Sequence, residues 1–460
     1  MINSNAFDVA VVGAGVAGLA AATALAEAGR RVLVLEARGG LGGRATSFVD
    51  RETGERVDNG QHVLFGCYYE TFTLLRRIGA ETNVRMQPSL EVPFIGPDGR
   101  RSVLKAWRAP SPLHLFLGVL RWRELSWAER WPAFRLAAPL HRARLTLARG
   151  EADRTPGTVA EWLTKHGQKG RLREWLWEPL AVAALNQSPD EAAAAHFVRV
   201  LAFMFGSDPH AASIVLPTVP LDAMYAQPAR RYIEAHGGEV RTNALARIRI
   251  EHGRVAGVEV RGEPIPVSRV ISAVPWFALE PLFVGDVAPM AAVTGAASRM
   301  TSKAIVTVNL WYDRQIMNEP FVGLPGREMQ WVFDKRQAFG ERASHLSLVA
   351  SGADRLAAFD NAALISLAAA EVGEAIAEPR QANLVRGTVV RERRATFSLA
   401  LGQPERPGVT TPVEGLFLAG DWIDTGLPGT IESAALAGHR AAAALRQSDQ
   451  APSGEAPGRT

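Results

Sequence analysis

Short apolar runs punctuated by glycine open the chain. Val9–Val12 is a four-residue apolar run, and its length and flanks predict a buried parallel strand. Gly13 follows, then a small-residue stretch over 20–28 that predicts a helix closed by Gly29. A second apolar run, Val32–Leu35, predicts another buried strand and ends in Glu36. Further along, residues 71–78 read as a helix and 92–103 as a hairpin around Pro97-Asp98-Gly99. Residues 158–177 and 190–205 read as helices, with Asp190 near the start of the second. Residues 229–236 form another predicted helix, stopped by Gly237-Gly238 before a strand at Glu239–Arg241. Ala246–Glu251 and residues 255–260 pair as a hairpin around His252-Gly253, and a strand is expected at 270–274. Residues 304–311 are a strongly apolar strand with Lys303 at its start. Near the end, an apolar run finishes in Gly420-Asp421, a Gly/Pro loop follows, and an Ala-rich helix begins.

The first of these units carries chemistry. Gly13, Gly15 and Gly18 stand in G-x-G-x-x-G spacing between a strand and a helix. Such glycines allow a tight turn, close backbone approach to a pyrophosphate, and close helix–strand packing. The helix N-terminus, at Val16 and Ala17, offers unpaired N–H groups and a positive dipole end to phosphate. Glu36, at the end of the second strand, can accept from ribose hydroxyls. With strand, helix, second strand and acid in register, dinucleotide binding outweighs an ordinary Gly-rich turn.

Composition bounds the rest. A chain of 460 residues suggests two domains, and 47% apolar residues supply a sizeable core. One cysteine, Cys67, excludes an intramolecular disulfide and fits a reducing cytoplasm. The first strand begins almost at the N-terminus, so no secretory signal is expected. No apolar window is long enough for a membrane span. The net charge of +4 does not argue for nucleic acid, and no nucleic-acid motif or metal-ligand cluster is present. Residues 100–149 differ from their surroundings: arginines recur there, interleaved with Trp107, Trp122, Trp127 and Trp131 beside an apolar run at 113–120. Two readings stay open, an anionic membrane interface or a helical cap with buried tryptophans and solvated arginines.

The residues after Glu36 read Ala37-Arg38-Gly39-Gly40-Leu41-Gly42-Gly43-Arg44. This resembles the E-A-R-x-x-x-G-G-R signature of the flavin-containing amine oxidase and phytoene desaturase superfamily. The resemblance implies FAD, held non-covalently, with Gly43 approaching closely and Arg44 contacting the phosphates. Asp58-Asn59-Gly60-Gln61-His62 is similar to the superfamily's segment passing the flavin, which brings Gly60, Gln61 and His62 to the cofactor. The strand after Gly237-Gly238 would set Val240 against the adenine. Gly420, Asp421, Gly429, Thr430 and Ile431 resemble the C-terminal flavin motif, with Asp421 on a ribityl hydroxyl and a helix N-terminus facing the flavin.

The implied fold is α/β, a Rossmann-type FAD-binding domain of glutathione-reductase-like form. It would be discontinuous, over 1–85, 215–275 and 385–447. A substrate domain of mixed sheet and helical cap would take 86–214 and 276–384, with 448–460 a disordered tail. Details at Asp58–His62, Trp177-Glu178-Pro179-Leu180 with Leu185-Asn186, and Gly420-Asp421-Trp422 resemble the squalene-associated branch, the hydroxysqualene dehydroxylases of hopanoid biosynthesis. The resemblance implies replacement of an allylic hydroxyl by hydrogen on an isoprenoid. Carotenoid-type desaturation, amine oxidation and a non-catalytic carrier of a prenyl chain are the other readings. A cytoplasmic protein, peripheral on the inner face of the membrane, is expected. Catalytic candidates are His62, as a proton donor, Asn186 at the end of an apolar helix, and Lys303. Each also has a plain reading: a structural hydrogen-bonder, a cap, and a strand-edge lysine.

Overall fold

A computed structural model of the protein describes residues 7–151, 153–376 and 382–450. Its centre is a five-stranded parallel sheet in the order Glu239–Arg241, Val32–Leu35, Val9–Val12, Val270–Ser272, Leu416–Leu418. The register runs Val9 to Val32, Ala10 to Val270, and Val270 to Leu416. All residues of Val9–Val12 and Val32–Leu35 are buried, because helices cover both faces of a parallel sheet. That is why these strands read as continuous apolar runs. The helix Val16–Glu27 packs on the long C-terminal helix Ile431–Gln450 through small residues. A Cβ added at Gly438 would fall 2.2 Å from the Ala17 carbonyl oxygen, so the two helices cross in close contact there.

The chain leaves this sheet to build a second layer. Seven strands form a mixed sheet in the order Leu384–Phe397, Ser302–Tyr312, His345–Ser351, Trp331–Asp334, Phe321–Gly323, Glu91–Ile95, Arg101–Lys105. The hairpin expected over 92–103 is its outer edge. The boundary expected at 385 falls inside a strand: Leu384–Phe397 pairs with Ser302–Tyr312 over nearly its whole length. By hydrogen bonding, this strand belongs to the substrate sheet and not to the cofactor sheet. The hairpin around His252-Gly253 is present, both residues at positive φ, in a separate four-stranded sheet. The helix expected from 190 begins at Ala194, after a turn in which Ser188 Oγ accepts from the Asp190 N–H. The expected tail is helical through Gln450, and the remainder lies outside the described residues.

Residues 113–204 form the helical cap. The tryptophans in and beside it divide into buried and exposed members. Trp122, Trp162, Trp175 and Trp177 are buried, with Trp122 Nε1 donating to Ser102 Oγ at 2.6 Å and Trp177 Nε1 to Gln168 Oε1 at 2.8 Å. Trp107, Trp127 and Trp131 stand 46%, 67% and 58% exposed. Among the described residues, no helix is long and apolar enough to cross a membrane.

Candidate active site

The cofactor end of the site is built by backbone. A Cβ at Gly18 would lie 1.9 Å from the Gly13 carbonyl oxygen, so only glycine lets the first helix follow its strand this closely. Gly15 and the Gly42-Gly43 loop run side by side in a parallel bridge, and a Cβ on Gly43 would come 3.1 Å from Gly15 Cα. Two bare backbones thus face each other at the N-terminus of the helix that begins with Val16 and Ala17. This is a cradle in which side chains would stand in the way of a pyrophosphate. Tyr225 fixes it from beneath, its hydroxyl shared between the Gly42 and Ala45 carbonyls at 2.7 and 2.9 Å. No local pattern marks Tyr225 for this, since its partners lie some 180 residues away. Glu36 is 8% exposed, and its carboxylate accepts from the Ala14 N–H at 2.8 Å and the Arg38 N–H at 2.9 Å. The carboxylate is therefore aimed before a ribose arrives. Ala37 continues the same turn, and Val240 is buried on the neighbouring strand opposite Val34. These residues fit the adenosine and pyrophosphate half of a dinucleotide.

The other half is approached from the C-terminal motif. Asp421 follows Gly420, which sits at φ 144°, and its Oδ2 would lie 3.2 Å from a Cβ on Gly429. Thr430 Oγ1 accepts from the Ser433 N–H at 3.1 Å and so caps the helix that starts at Ile431. The Arg44 guanidinium pairs with Asp421 and donates to the Ala395 carbonyl at 2.6 Å, 5.6 Å over the Trp276 ring. It thus links the Gly42-Gly43 loop to the C-terminal motif.

Between the cofactor sheet and the substrate sheet lies a cavity of about 270 Å³. Much of its wall is apolar, from residues such as Leu90, Val92, Phe94, Leu104, Leu176 and Leu180. Polar side chains also face it: Arg44, Asn59, Gln61, His62, Tyr68, Asn186, Thr307, Ser351, Glu392, Thr396 and Thr430. A second chamber, lined by Leu115, Phe116, Val119, Ala133 and Phe205, adjoins the first. Leu90, Leu104, Leu176, Leu180 and Met204 border both.

The three catalytic candidates separate here. His62 lines the cavity, and its Nδ1 stands 3.2 Å from the Gly60 carbonyl oxygen, to which it can only donate. Burial lowers its pKa, so the ring is neutral and its Nε2 carries a lone pair. With its one hydrogen toward Gly60, the neutral ring has Nε2 as an acceptor. Asn186 is the left-handed cap of the helix Glu178–Leu185, at φ 51°. Its Oδ1 accepts from Gly352 N–H at 2.7 Å, and its Nδ2 serves Thr396 Oγ1 at 3.0 Å and the Lys303 carbonyl at 3.3 Å. Its polar atoms are committed to the wall. Lys303 does not reach the cavity; its ammonium pairs with Glu191 at 2.8 Å and Asp354 at 3.2 Å.

Lys335 takes a place that the sequence does not advertise. Its ammonium is buried, 2.7 Å from Asp58 Oδ2, and donates to Gln61 Oε1 at 2.9 Å. Gln61 Nε2 in turn donates to the His62 carbonyl at 2.9 Å. One cation on the substrate sheet therefore holds the Asp58–His62 segment of the other domain. Glu432 is committed likewise, capping the helix Tyr69–Arg77 through the Glu70 and Thr71 N–H groups.

A sequence model of the family described as flavin containing amine oxidoreductase matches residues 16–446. The chain is 32% identical over 443 residues to the hydroxysqualene dehydroxylase of Rhodopseudomonas palustris, covering 94% of this chain and 97% of that protein. It is 24% identical to the 15-cis-phytoene desaturase of Solanum lycopersicum, over 96% of this chain and 78% of that one. In fold it is similar to an oxidoreductase from Methanosarcina mazei, with a TM-score of 0.71, 20% identity, and coverage of 94% and 99%. The cofactor is FAD and the protein is an FAD-dependent oxidoreductase, as the cradle, the aimed Glu36 and the capped C-terminal motif require. On the match along residues 16–446 and on this geometry, the chain belongs to the flavin-containing amine oxidoreductase family.

Proposed function

We propose that the enzyme removes the allylic hydroxyl of hydroxysqualene and replaces it with hydrogen, giving squalene and water. The observation that carries this reading is the cavity: its wall is mostly apolar, with a minority of polar side chains that includes Gln61, His62 and Thr430 of the two segments resembling flavin motifs. A triterpene alcohol has that same shape of polarity, one hydroxyl on a long hydrocarbon. The similarity to proteins named hydroxysqualene dehydroxylase supports it.

FAD, once reduced, supplies the hydride. The chain supplies the rest. The Gly15–Gly43 cradle and Glu36 hold the adenosine half, and Asp421 with Arg44 meets the ribityl end. The apolar walls keep water from the carbon that loses oxygen, where a cation would otherwise be captured. His62, neutral with its Nδ1–H on Gly60, offers Nε2 to the substrate hydroxyl's hydrogen. We propose that FAD is bound without a covalent link: Cys67, the chain's one cysteine, is buried, and burial pushes its thiol up to about 12, so the nucleophilic thiolate is not available. Denaturation should release free yellow flavin, and flavin remaining on the precipitated chain would contradict this.

Anaerobic single turnover tests the reaction. Hydroxysqualene should reoxidise pre-reduced enzyme and yield squalene. Phytoene relatives motivate the opposite arm, in which phytoene would reduce the oxidised enzyme. Reaction in the phytoene arm alone would replace the proposal with desaturation.

We also propose that this substrate reaches the enzyme from an anionic membrane surface. The exposed Trp107, Trp127 and Trp131 sit among arginines on the cap that covers the second chamber.

A further inference from the structure

We propose that Tyr68 is the catalytic proton donor to the departing hydroxyl, an inference that rests on the dehydroxylation reading above. The reaction needs an acid, because hydroxide leaves an allylic carbon poorly unless it is protonated as it goes. The polar groups on the cavity wall can be taken in turn. Asn186 spends its donors on Thr396 and Lys303, and Arg44 is paired with Asp421. Glu392 accepts from Asn59 Nδ2 and the Arg394 N–H, both at 3.4 Å. His62 is neutral, with its one hydrogen on Gly60. Thr307, Ser351, Thr396 and Thr430 carry aliphatic hydroxyls, whose alkoxides are less stable than a phenolate in the same surroundings, and Asn59 and Gln61 carry amides. Tyr68 brings the phenol on this wall.

Its placement suits the task. Tyr68 lines the cavity directly before the helix Tyr69–Arg77, with its N–H donating to the Phe65 carbonyl at 2.9 Å. Its ring meets Phe65 edge-on at 6.0 Å. The polar neighbour of its hydroxyl is Thr430, the residue that caps the helix of the flavin motif. Glu432, the second residue of that helix, accepts from Glu70 N–H, Thr71 N–H and Thr71 Oγ1–H at 3.0, 2.9 and 2.7 Å. The two helix starts are thus tied together, and the Tyr68 hydroxyl is held beside Thr430. Burial pushes its phenol up, so it stays protonated at working pH.

The step balances as follows. The C–O bond breaks with its electron pair on oxygen, and the Tyr68 Oη–H bond breaks with its proton passing to that oxygen, releasing water. The allylic carbon receives the hydride of the reduced flavin, which is thereby oxidised. The phenolate regains its proton from solvent.

The test compares wild type, Tyr68→Phe and, as a control away from the cavity, Tyr69→Phe, as holoenzymes of equal FAD content. In single turnover with hydroxysqualene, Tyr68→Phe should slow the chemical step about 100-fold, while Tyr69→Phe stays near wild type. The acetate ester of hydroxysqualene needs no proton to leave, so Tyr68→Phe should reduce the ester at the wild-type rate. A ring needed only for packing would slow both substrates. In equilibrium titration followed by tryptophan fluorescence, Tyr68→Phe should lose preference for the alcohol over squalene while binding squalene unchanged. Should Tyr68→Phe fail to hold FAD, 3-fluorotyrosine at position 68 keeps the shape and strengthens the acid. A changed rate for the alcohol but not the ester supports the proposal, and equal rates for both oppose it. Undiminished reduction of the alcohol by Tyr68→Phe overturns the role of Tyr68 alone. A wild type that leaves hydroxysqualene untouched overturns the dehydroxylation reading and this inference with it.

Discussion

Glu36 shows how a single side chain is made ready for its ligand. Two backbone N–H groups hold its carboxylate, so the ribose meets an acceptor already in place. Glu36→Ala should lower FAD retention and also strand the Ala14 and Arg38 N–H groups. Each buried, unpaired donor costs about 1–3 kcal/mol, so the melting temperature should drop as flavin per chain falls. Retained flavin at an unchanged melting temperature would remove both roles. His62 yields a pH prediction whose sign follows from its lowered pKa. The folded-state ring loses its proton at lower pH than a free histidine, and the proposed acceptor is the neutral form. The chemical step should therefore hold steady from pH 8 downward through the usual histidine range and fail only on further acidification, with that limb absent in His62→Ala. Activity that instead rises as His62 becomes protonated would restore the acid role. Residue roles fixed by neighbours, such as Gly13, Gly18 and Glu36, were legible from spacing alone. Asn186 and Lys303 were not, because what commits them lies far along the chain: Gly352 is 166 residues from Asn186, and Glu191 is 112 from Lys303. Tyr68 and Lys335 carry no local signature at all: only the fold brings Tyr68 to the cavity and Lys335 to Asp58 and Gln61.

At the scale of elements, the cofactor sheet was readable because parallel strands buried on both faces are uniformly apolar. Hairpins around Pro97-Asp98-Gly99 and His252-Gly253 were readable because their turns demand those residues. The segment boundary expected at 385 cuts the strand Leu384–Phe397, which pairs within the substrate sheet. The strand mixes exposed Arg393 and Arg394 with buried Val390, as an edge strand does, and nothing in it names the partner strand. The tie between the domains is equally invisible in sequence. Lys335, on the substrate sheet, holds Asp58 and Gln61 of the segment that passes the flavin. Both charged side chains are within 5% of full burial. Removing one partner strands the other, and breaking such a pair typically costs about 3–5 kcal/mol. Lys335→Met should therefore destabilise the enzyme by about that amount and loosen the His62 segment. Adding Asp58→Asn to Lys335→Met should recover part of the loss, since no uncompensated charge is then buried. Chemical denaturation of the two variants measures the difference. Additive losses in the double variant would show that the pair does not act as a unit.

Across the whole molecule, the cap turns two faces to two environments. Leu115, Phe116 and Val119 of the helix Leu113–Arg121 line the second chamber, while Leu113 at its start is 46% exposed. Around that outer side stand Trp107, Trp127, Trp131 and Leu145, all more than 40% exposed. Arg121 lies 3.7 Å over the Trp107 ring, and Arg130 lies 4.7 Å over that of Trp127. Indole rings with guanidinium groups beside them suit the depth of lipid headgroups, where the ring is half-wetted and the cation meets phosphate. The same short helix would then separate the bilayer surface from the apolar chamber, so that a hydrocarbon need not cross water between them. The holoenzyme should co-sediment with vesicles containing phosphatidylglycerol, and the bound fraction should fall as salt rises, because a cation near an anionic surface contributes about 1 kcal/mol that ions screen. Trp127→Ser with Trp131→Ser should weaken binding to these vesicles without altering FAD content or single turnover of hydroxysqualene in detergent micelles. Turnover of vesicle-borne hydroxysqualene should fall in step with the lost binding. If the double variant handles vesicle and micelle substrate as wild type does, the exposed tryptophans do not deliver it, and entry must lie at another part of the cavity mouth.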